Sequence, residues 1–420
     1  MSSLVTDIVR KIRVFSLALF CIALSRTRPG AFMISKRRTG SGKSSADTPA
    51  PRRSLVLIGA YGNSNFGDDI VAVSIVESAR ALNFDSVRVI GRRPDFDLLE
   101  ADVPGAQMHF CGDGFAGLIE TWRSIPRAGS SLDVAILGGG GLLEGKMDDV
   151  NVHRLVLEYC GKLLIARILG YTVLVHGIGV SPVLYSDRWV SRGVCKALSM
   201  ARGISVRDQK SVDVLAANGI DAVLVRDPAS SLFYHMAPAC KRRPRTVGIV
   251  LLDRYRWPSF ERARDSQETL RQEDLRAIAV RMVDWSRNGL RLELFEFHWS
   301  DGAVLKDLAS VYADMGGDTE ALRFNGGWRS CTEPFRRLME CGTVFTMRFH
   351  PGLAGLIAGN SVEVVGDLQK LESLRVGMNG DSVWKYPSSF GDPEDFLVQN
   401  LDSSVYPTRS LGRRSESAGR

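Results

Sequence analysis

Every sharp cluster of glycine or polar residues in this chain comes directly after a short apolar run rich in β-branched residues. Ser54–Ile58 leads into Gly59-Ala60-Tyr61-Gly62-Asn63-Ser64-Asn65-Phe66-Gly67-Asp68-Asp69, and Val134–Leu137 into Gly138-Gly139-Gly140-Gly141. Thr172–Val175 precedes His176-Gly177-Ile178-Gly179, and Ile204–Val206 precedes Arg207-Asp208. Val223–Val225 precedes Arg226-Asp227-Pro228, and Val344–Met347 precedes Arg348-Phe349-His350-Pro351. Short apolar runs suit strands buried on both faces. In a parallel sheet with helical crossovers such strands all end on one edge, and ligands bind in the crevice outside it. The clusters are therefore expected to meet in space.

Between the runs lie amphipathic stretches such as Ile70–Leu82, where Ile70, Val73, Val76 and Ala79 fall at helical spacing. This alternation, sustained to about Leu232, is that of a parallel α/β sheet. Pro238–Arg245 is short, polar and bounded by prolines, and it reads as a junction. After it the pattern restarts. Strands are expected over Thr246–Leu252, Leu290–Phe297, Val344–Met347 and Val362–Val365, and helices over Glu268–Arg287, Ala303–Asp314 and Glu333–Cys341. The expected organisation is a basic extension and linker over 1–53, one α/β unit over 54–240, a second over 241–400 and a tail over 401–420. With 420 residues, 45% of them hydrophobic, the chain has material for two cores.

The formal charge of +7 is concentrated outside those units. Arg26, Arg28, Lys36, Arg37, Arg38, Lys43, Arg52 and Arg53 face a single acid, Asp47, and Arg409, Arg413, Arg414 and Arg420 lie in the tail. Zinc-finger spacing, an aromatic sheet signature and a basic recognition helix are absent, so the surplus does not imply nucleic acid. Seven widely spaced cysteines without a Cys-x-x-Cys pair suit reduced thiols in the cytosol. The apolar run Val14–Leu24 is flanked by Arg10, Lys11, Arg13, Arg26 and Arg28. It is shorter than the ~20 residues that span a bilayer, and the arginines directly after it argue against a signal peptide. The expectation is a segment lying on the inner membrane surface; the alternative is an extension with no membrane role.

In the loop Gly59–Asp69, glycines let the backbone approach a ligand, and the helix that follows offers free N–H groups to an anion. The dinucleotide fingerprint Gly-x-Gly-x-x-Gly is absent. Gly62, Asn65, Gly67 and Asp68 are expected at the ligand, while Asp68 and Asp69 also suit a helix start. Four successive glycines exceed the needs of a turn, since each costs roughly 0.5–1 kcal/mol relative to alanine in regular structure. Gly139, Gly140 and Gly141 are read as a flat backbone wall beside a ligand. Gly177 and Gly179 repeat the idea, with close helix packing as the alternative.

Arg207, beside Asp208, presents a planar fork suited to a carboxylate or phosphate; the alternative is a structural ion pair with Asp227. Arg348 and His350 alternate along what reads as an extended segment, so they are expected to share a face. Pro351 is expected to keep His350 out of the helical region. A histidine held beside a cation in a cleft suits proton donation near neutral pH. His298, Asp301, Arg254 and Arg256 also follow strand ends and are expected to line the same cleft, with plain loop charges as the alternative; Asp208 and His298 are expected to bind substrate. His109, His153 and His235 show no metal-ligand spacing.

Taken together, several motifs resemble the polysaccharide pyruvyl transferase family. They are Gly-x-x-Gly-x-x-Asn-x-Gly-Asp at 59–68, Gly138–Gly141 with Leu142, and Gly177-Ile178-Gly179 followed by Pro182. Ser205-Val206-Arg207-Asp208 with Ser211 and Leu215, Asp227-Pro228-Ala229, and Arg348-x-His350 with Ala354 complete the set. The resemblance covers about residues 55–366. It implies two Rossmann-like units facing across a cleft, as in glycosyltransferases of the B type. The implied reaction takes pyruvate from phosphoenolpyruvate and sets it as a ketal across two hydroxyls of a saccharide, often lipid-linked, in exopolysaccharide or cell-surface polysaccharide synthesis. Arg207 and Arg348 would bind the donor's carboxylate and phosphate, His350 would act as acid and base, and no metal or redox cofactor would be needed. The charged segment Asp253–Glu268 and the basic N-terminal extension depart from the family pattern, at loops that commonly set acceptor choice. Two other readings stay open: a nucleotide-sugar-dependent glycosyltransferase, and a non-catalytic anion- or sugar-binding protein.

Overall fold

The structure is a computed structural model. It describes residues 2–26, 53–63, 65–92, 96–144, 150–181, 187–253, 264–365, 374, 386 and 389–401 of the 420. Arg254, Arg256, Pro182, most of the basic linker and the C-terminal tail lie outside these.

The first sheet is built from β1 (Ser54–Ile58), β2 (Ser86–Gly91), β3 (Gln107–Phe110), β4 (Val134–Gly138), β5 (Thr172–Ile178), β6 (Gly203–Val206) and β7 (Val223–Leu224). All pairings are parallel, in the order β3-β2-β1-β4-β5-β6-β7. Its strand order reverses between β1 and β4, the place where doubly wound sheets open a ligand crevice. The period of two along β1 decides what each side chain covers. Leu55 and Leu57 enter one apolar core, and Val56 and Ile58 enter the core on the opposite face.

Helices wrap both faces: α1 (Ser2–Ser25), α2 (Phe66–Ala81), α3 (Asp97–Asp102), α4 (Gly114–Ser124), α5 (Val150–Ile168), α6 (Arg188–Leu198), α7 (Gln209–Ala216) and α8 (Ala229–Met236). The N-terminal apolar run, expected on a membrane, is helical. Its stripe of Val14, Leu17, Ala18 and Cys21 is buried in the core that also holds Leu157 of α5 and Val190 of α6. Covering those neighbours takes one side of the helix out of water, and each fully buried leucine contributes roughly 1.5–3 kcal/mol. Phe15 and Leu19, on the other side, remain about two-fifths exposed. Among the described residues no helix is long and apolar enough to cross a membrane.

The second sheet repeats the scheme with β8 (Arg243–Val250), β9 (Arg291–Phe295), β10 (Leu322–Asn325), β11 (Cys341–Thr346) and β12 (Ser361–Val364), in the order β10-β9-β8-β11-β12. Its reversal falls between β8 and β11. It carries α9 (Arg264–Arg287), α10 (Asp301–Asp314), α11 (Thr332–Met339) and α12 (Phe349–Ile357). The last helix, α13 (Pro393–Leu401), returns to the first unit. Phe396 stacks on His176 with ring centres 5.3 Å apart, and Gly391 bridges Val225. The span 241–400 is thus not one unit in space. Its final stretch closes the first sheet, and no periodicity in that stretch announces the crossing.

The two units share a core. Phe66 meets Phe297 with ring centres 6.2 Å apart, and Phe233 meets Phe335 at 4.9 Å.

Candidate active site

The two points of strand reversal face one another, and the loop after β1 makes the joint. Asn65 bridges His298, and the Phe66 N–H donates to the Phe297 carbonyl at 3.1 Å. Gly67, in the first turn of α2, lies against His350 so closely that a Cβ there would stand 2.6 Å from Nδ1. A larger residue at 67 would push the imidazole away.

A buried carboxylate organises the cluster. Asp227 Oδ1 accepts the Ala229 N–H at 3.0 Å, while Oδ2 accepts from Arg207 Nη1 at 3.4 Å and stands 3.5 Å from His350 Nε2. The last distance is at the outer limit of hydrogen bonding. His350 Nε2 is buried and makes no hydrogen bond of ordinary geometry among the described residues; the same holds for Arg348 Nε. Burial pushes the Asp227 carboxyl up, but His350, Arg207 and the Ala229 N–H outweigh it and leave it below the usual carboxylate range. Burial likewise opposes the charge on Arg207, and Glu144, Asp227 and Asp208 more than offset it. Arg207 donates through Nη2 to Glu144 Oε1 at 2.8 Å, and its guanidinium sits 5.2 Å from the centre of the Phe349 ring. The structural pairing of Arg207 with Asp227 is therefore real. It fixes Arg207 at the strand edge.

Arg348 caps α12 in an extended conformation and pairs with the buried Asp301. Phe349, His350 and Pro351 are already helical. This corrects the expectation that Pro351 holds His350 extended: a proline in the first helical turn lacks an N–H where the helix has no acceptor for one, so the turn tolerates it. Arg348 and His350 do not share a face by alternation. Arg348 points to Asp301 of its own unit, and His350 points to Asp227 of the other. His298 bonds Ser300 through Nδ1 at 2.6 Å. Burial and then the Arg348 charge push its imidazole down to about 4, so it is neutral at pH 7.

The glycines divide into two groups. A Cβ on Gly139 would strike Val71 of α2, and one on Gly177 would strike Pro228; both have positive φ, 64° and 61°. These two serve packing and backbone conformation, and the ligand-wall reading does not describe them. Gly140, Gly141 and Gly179 face functional groups instead. A Cβ on Gly140 would stand 2.6 Å from Asp68 Oδ1, one on Gly141 2.5 Å from Glu144 Oε2, and one on Gly179 would meet Glu144 Oε1. Asn65 Nδ2 donates to Asp68 Oδ2 at 2.7 Å, which holds that carboxylate toward Gly140. Asp69 accepts the Gly62 N–H at 3.0 Å and closes the loop. Asp208 caps α7 by accepting the Ser211 N–H at 2.8 Å, a structural task.

A sequence model of the polysaccharide pyruvyl transferase family matches residues 65–359, well over half of the chain and a span that includes Arg207, Asp227, Arg348 and His350. The chain belongs to the polysaccharide pyruvyl transferase family. No curated protein matches this pyruvyl transferase family member. Its fold is similar to that of UDP-GlcNAc 2-epimerase from Methanocaldococcus jannaschii, with a TM-score of 0.53 at 12% identity over 83% of this chain and 99% of that one. It is also similar to S. aureus MnaA in its co-structure with UDP, with a TM-score of 0.53 at 10% identity over 84% of this chain and 97% of that one. At these identities the likeness establishes the fold alone: two Rossmann-like units facing across a cleft, as in glycosyltransferases of the B type.

Two residues central to this family member's cluster escape a reading of the sequence as sites. Asp227 reads only as a partner to Arg207, although a proline directly after an acid at a strand end marks a rigid corner. Glu144 carries no motif of its own; its one signal is that it follows the glycine run by three residues.

Proposed function

We propose that this chain transfers the pyruvyl group of phosphoenolpyruvate onto two hydroxyls of a saccharide as a ketal, in the synthesis of exopolysaccharide or cell-surface polysaccharide. The observation that carries this reading is the meeting of Arg207 and His350, from opposite units, on the shared carboxylate of Asp227, with Arg348 two residues before His350 and all of them within the span matched by the family model. The donor is a small acid bearing a carboxylate and a phosphate. Two guanidinium groups suit it, each fixed on one side by a buried carboxylate so that its remaining N–H groups are oriented.

In the chemistry proposed, His350, whose Nε2 stands 3.5 Å from Asp227 Oδ2, delivers a proton to the methylene carbon of the enol. The carbon–carbon double bond supplies the electron pair, and the neighbouring carbon becomes oxocarbenium-like. A first saccharide hydroxyl adds there. Phosphate then leaves with the carbon–oxygen bonding pair, and a second hydroxyl closes the ketal. Of the two hydroxyl protons released, one restores His350 and the other leaves with the phosphate. In this scheme Asp68 and the neutral His298 bond acceptor hydroxyls, and no metal or redox cofactor is needed.

The acceptor in this reading is a saccharide or lipid-linked saccharide, met at the inner face of the membrane. Phe15 and Leu19 of α1 and Phe115 and Ile119 of α4 are 40%, 42%, 42% and 53% exposed. Phe20 and Phe115 join the two helices with ring centres 5.6 Å apart. Arg123, in the last turn of α4, and Arg127, just beyond it, are exposed, and apolar residues with arginines suit an anionic lipid surface.

Incubation of the folded protein with phosphoenolpyruvate and candidate saccharides should release phosphate and add an acid-labile ketal, and His350→Ala should slow both by at least about a hundredfold. A second reading, nucleotide-sugar-dependent glycosyl transfer, is favoured by the fold shared with UDP-GlcNAc 2-epimerase. Tight calorimetric binding of UDP-sugars with none of phosphoenolpyruvate would reverse the ranking.

A further inference from the structure

Glu144 stands where an incoming anion would have to stand. Its N–H donates to the Gly141 carbonyl at 3.1 Å, a tight turn that brings the side chain back over the glycine wall. The carboxylate then fills the space left by two missing Cβ atoms: one on Gly141 would lie 2.5 Å from Oε2, and one on Gly179 would meet Oε1 and stand 3.2 Å from Arg207 Nη2. The openness of this corner is thus an openness toward a carboxylate on Arg207, and the chain's own carboxylate is there.

The two carboxylates that flank Arg207 differ in kind. The Asp227 side chain is 1% exposed and is held by a backbone N–H, whereas that of Glu144 is 36% exposed. A partly exposed ion pair holds weakly because solvent screens it and the side chain must be kept in one conformation. Arg207 is 4% exposed on its side chain, and of the groups against its guanidinium, Asp227, the Phe349 ring and Glu144, the last is the partly exposed carboxylate.

We infer that Glu144 is a resident stand-in for the anionic group of the donor: it neutralises Arg207 in the free enzyme and must leave Arg207 for an anionic ligand to bind. This rests on the reading of Arg207 as a donor-binding residue given above. The donor cannot simply join Glu144, because a second and third anionic group around one guanidinium repel one another at short range. Binding is therefore an exchange, and the observed affinity is the intrinsic one reduced by the fraction of enzyme in which Glu144 holds the arginine. Glu144 sets donor affinity without taking part in the proton transfers.

Glu144→Gln tests this, since the amide keeps the shape and an acceptor oxygen for Arg207 and removes only the charge. Inorganic phosphate and phosphoenolpyruvate are titrated calorimetrically into the purified full-length protein and the variant. E144Q is expected to bind both on the order of tenfold more tightly, with KM for phosphoenolpyruvate falling in parallel and kcat changing less than about twofold. Glu144→Ala, which empties the corner, is expected to move affinity in the same direction, and melting curves establish that each variant is folded. Unchanged or weaker phosphate binding in the folded variants overturns the inference. A collapse of kcat with unchanged affinity overturns it too, by placing Glu144 in the chemistry. If phosphate binding tightens but phosphoenolpyruvate is never turned over, the proposed donor is wrong and the role of Glu144 at an anion site stands.

Discussion

His350 and Asp227 come from opposite units and meet across the cleft: Nε2 of the imidazole stands 3.5 Å from Oδ2 of the carboxylate, the oxygen that also accepts from Arg207 at 3.4 Å. A single buried acid thereby ties the proposed proton donor to the proposed anion binder. The pairing also makes the site depend on both units being in place, because neither the imidazole nor the carboxylate has the other's company in an isolated half.

If Asp227 acts by orienting His350, its removal should matter only where His350 is present. Asp227→Asn is expected to lower kcat by roughly a hundredfold, within the range for losing general acid catalysis. In a His350→Ala background the same substitution should lower the residual rate by less than about threefold. Steady-state kinetics of the two single variants and the double variant check this, and additive effects would make Asp227 a structural residue only.

Gly177 and Gly179 lie two residues apart and should respond differently. Alanine at 177 meets a positive φ, which costs roughly 1–2 kcal/mol, and collides with Pro228. Gly177→Ala is expected to lower the melting temperature by several degrees. Gly179→Ala intrudes on Glu144 and Arg207, so it should raise KM for phosphoenolpyruvate with a smaller loss of stability. Thermal denaturation and kinetics on both variants decide it.

His176 gives the fold a pH dependence of known sign. It is fully buried, bonded through Nδ1 to Ser205 Oγ at 2.8 Å, and burial, opposed in part by Asp227, pushes it down from 6.5 to about 3. Between those values the unfolded chain binds a proton that the native state does not, so stability falls as pH falls. For this one group the loss is about 2 kcal/mol from pH 7 to pH 5. Urea denaturation across that range should show a shallower slope in His176→Asn, and an identical slope would contradict the assignment.

Phe115 and Ile119 of α4 are exposed apolar residues. Phe115→Asp with Ile119→Asp is expected to abolish sedimentation with phosphatidylglycerol vesicles while leaving turnover of a water-soluble acceptor within about twofold. Retained vesicle binding would show that this strip is not the membrane contact, and no sedimentation of the unsubstituted protein would remove the membrane from the account.

Much of this architecture was legible in the sequence because its signals are local. Apolar runs ending in glycine or charge marked β1, β4, β5, β6 and β11, and helical spacing marked α2, α9 and α10. Weak strands such as β10, with Arg323 and Phe324 exposed, carry no apolar run to read. That Arg207, Arg348 and His350 follow strand ends is legible in the apolar runs before them, and the Arg207–Asp227 pair is among the readings of the sequence. The contacts with Glu144 and Asp301 are not, because they are selected by packing between distant segments. The glycine run misled in part for a related reason: Gly139 yields to Val71, a helix contact that only the folded chain displays.

The most direct test of the account follows the proton that His350 is proposed to deliver. The protein is incubated with phosphoenolpyruvate and an accepted saccharide in deuterium oxide, and the product is weighed by mass spectrometry beside an assay for phosphate. The account predicts that the ketal methyl carries a single solvent deuterium, that phosphate is released in equal amount, and that His350→Ala slows both by at least about a hundredfold. A product without solvent deuterium, or turnover undiminished in His350→Ala, would contradict it.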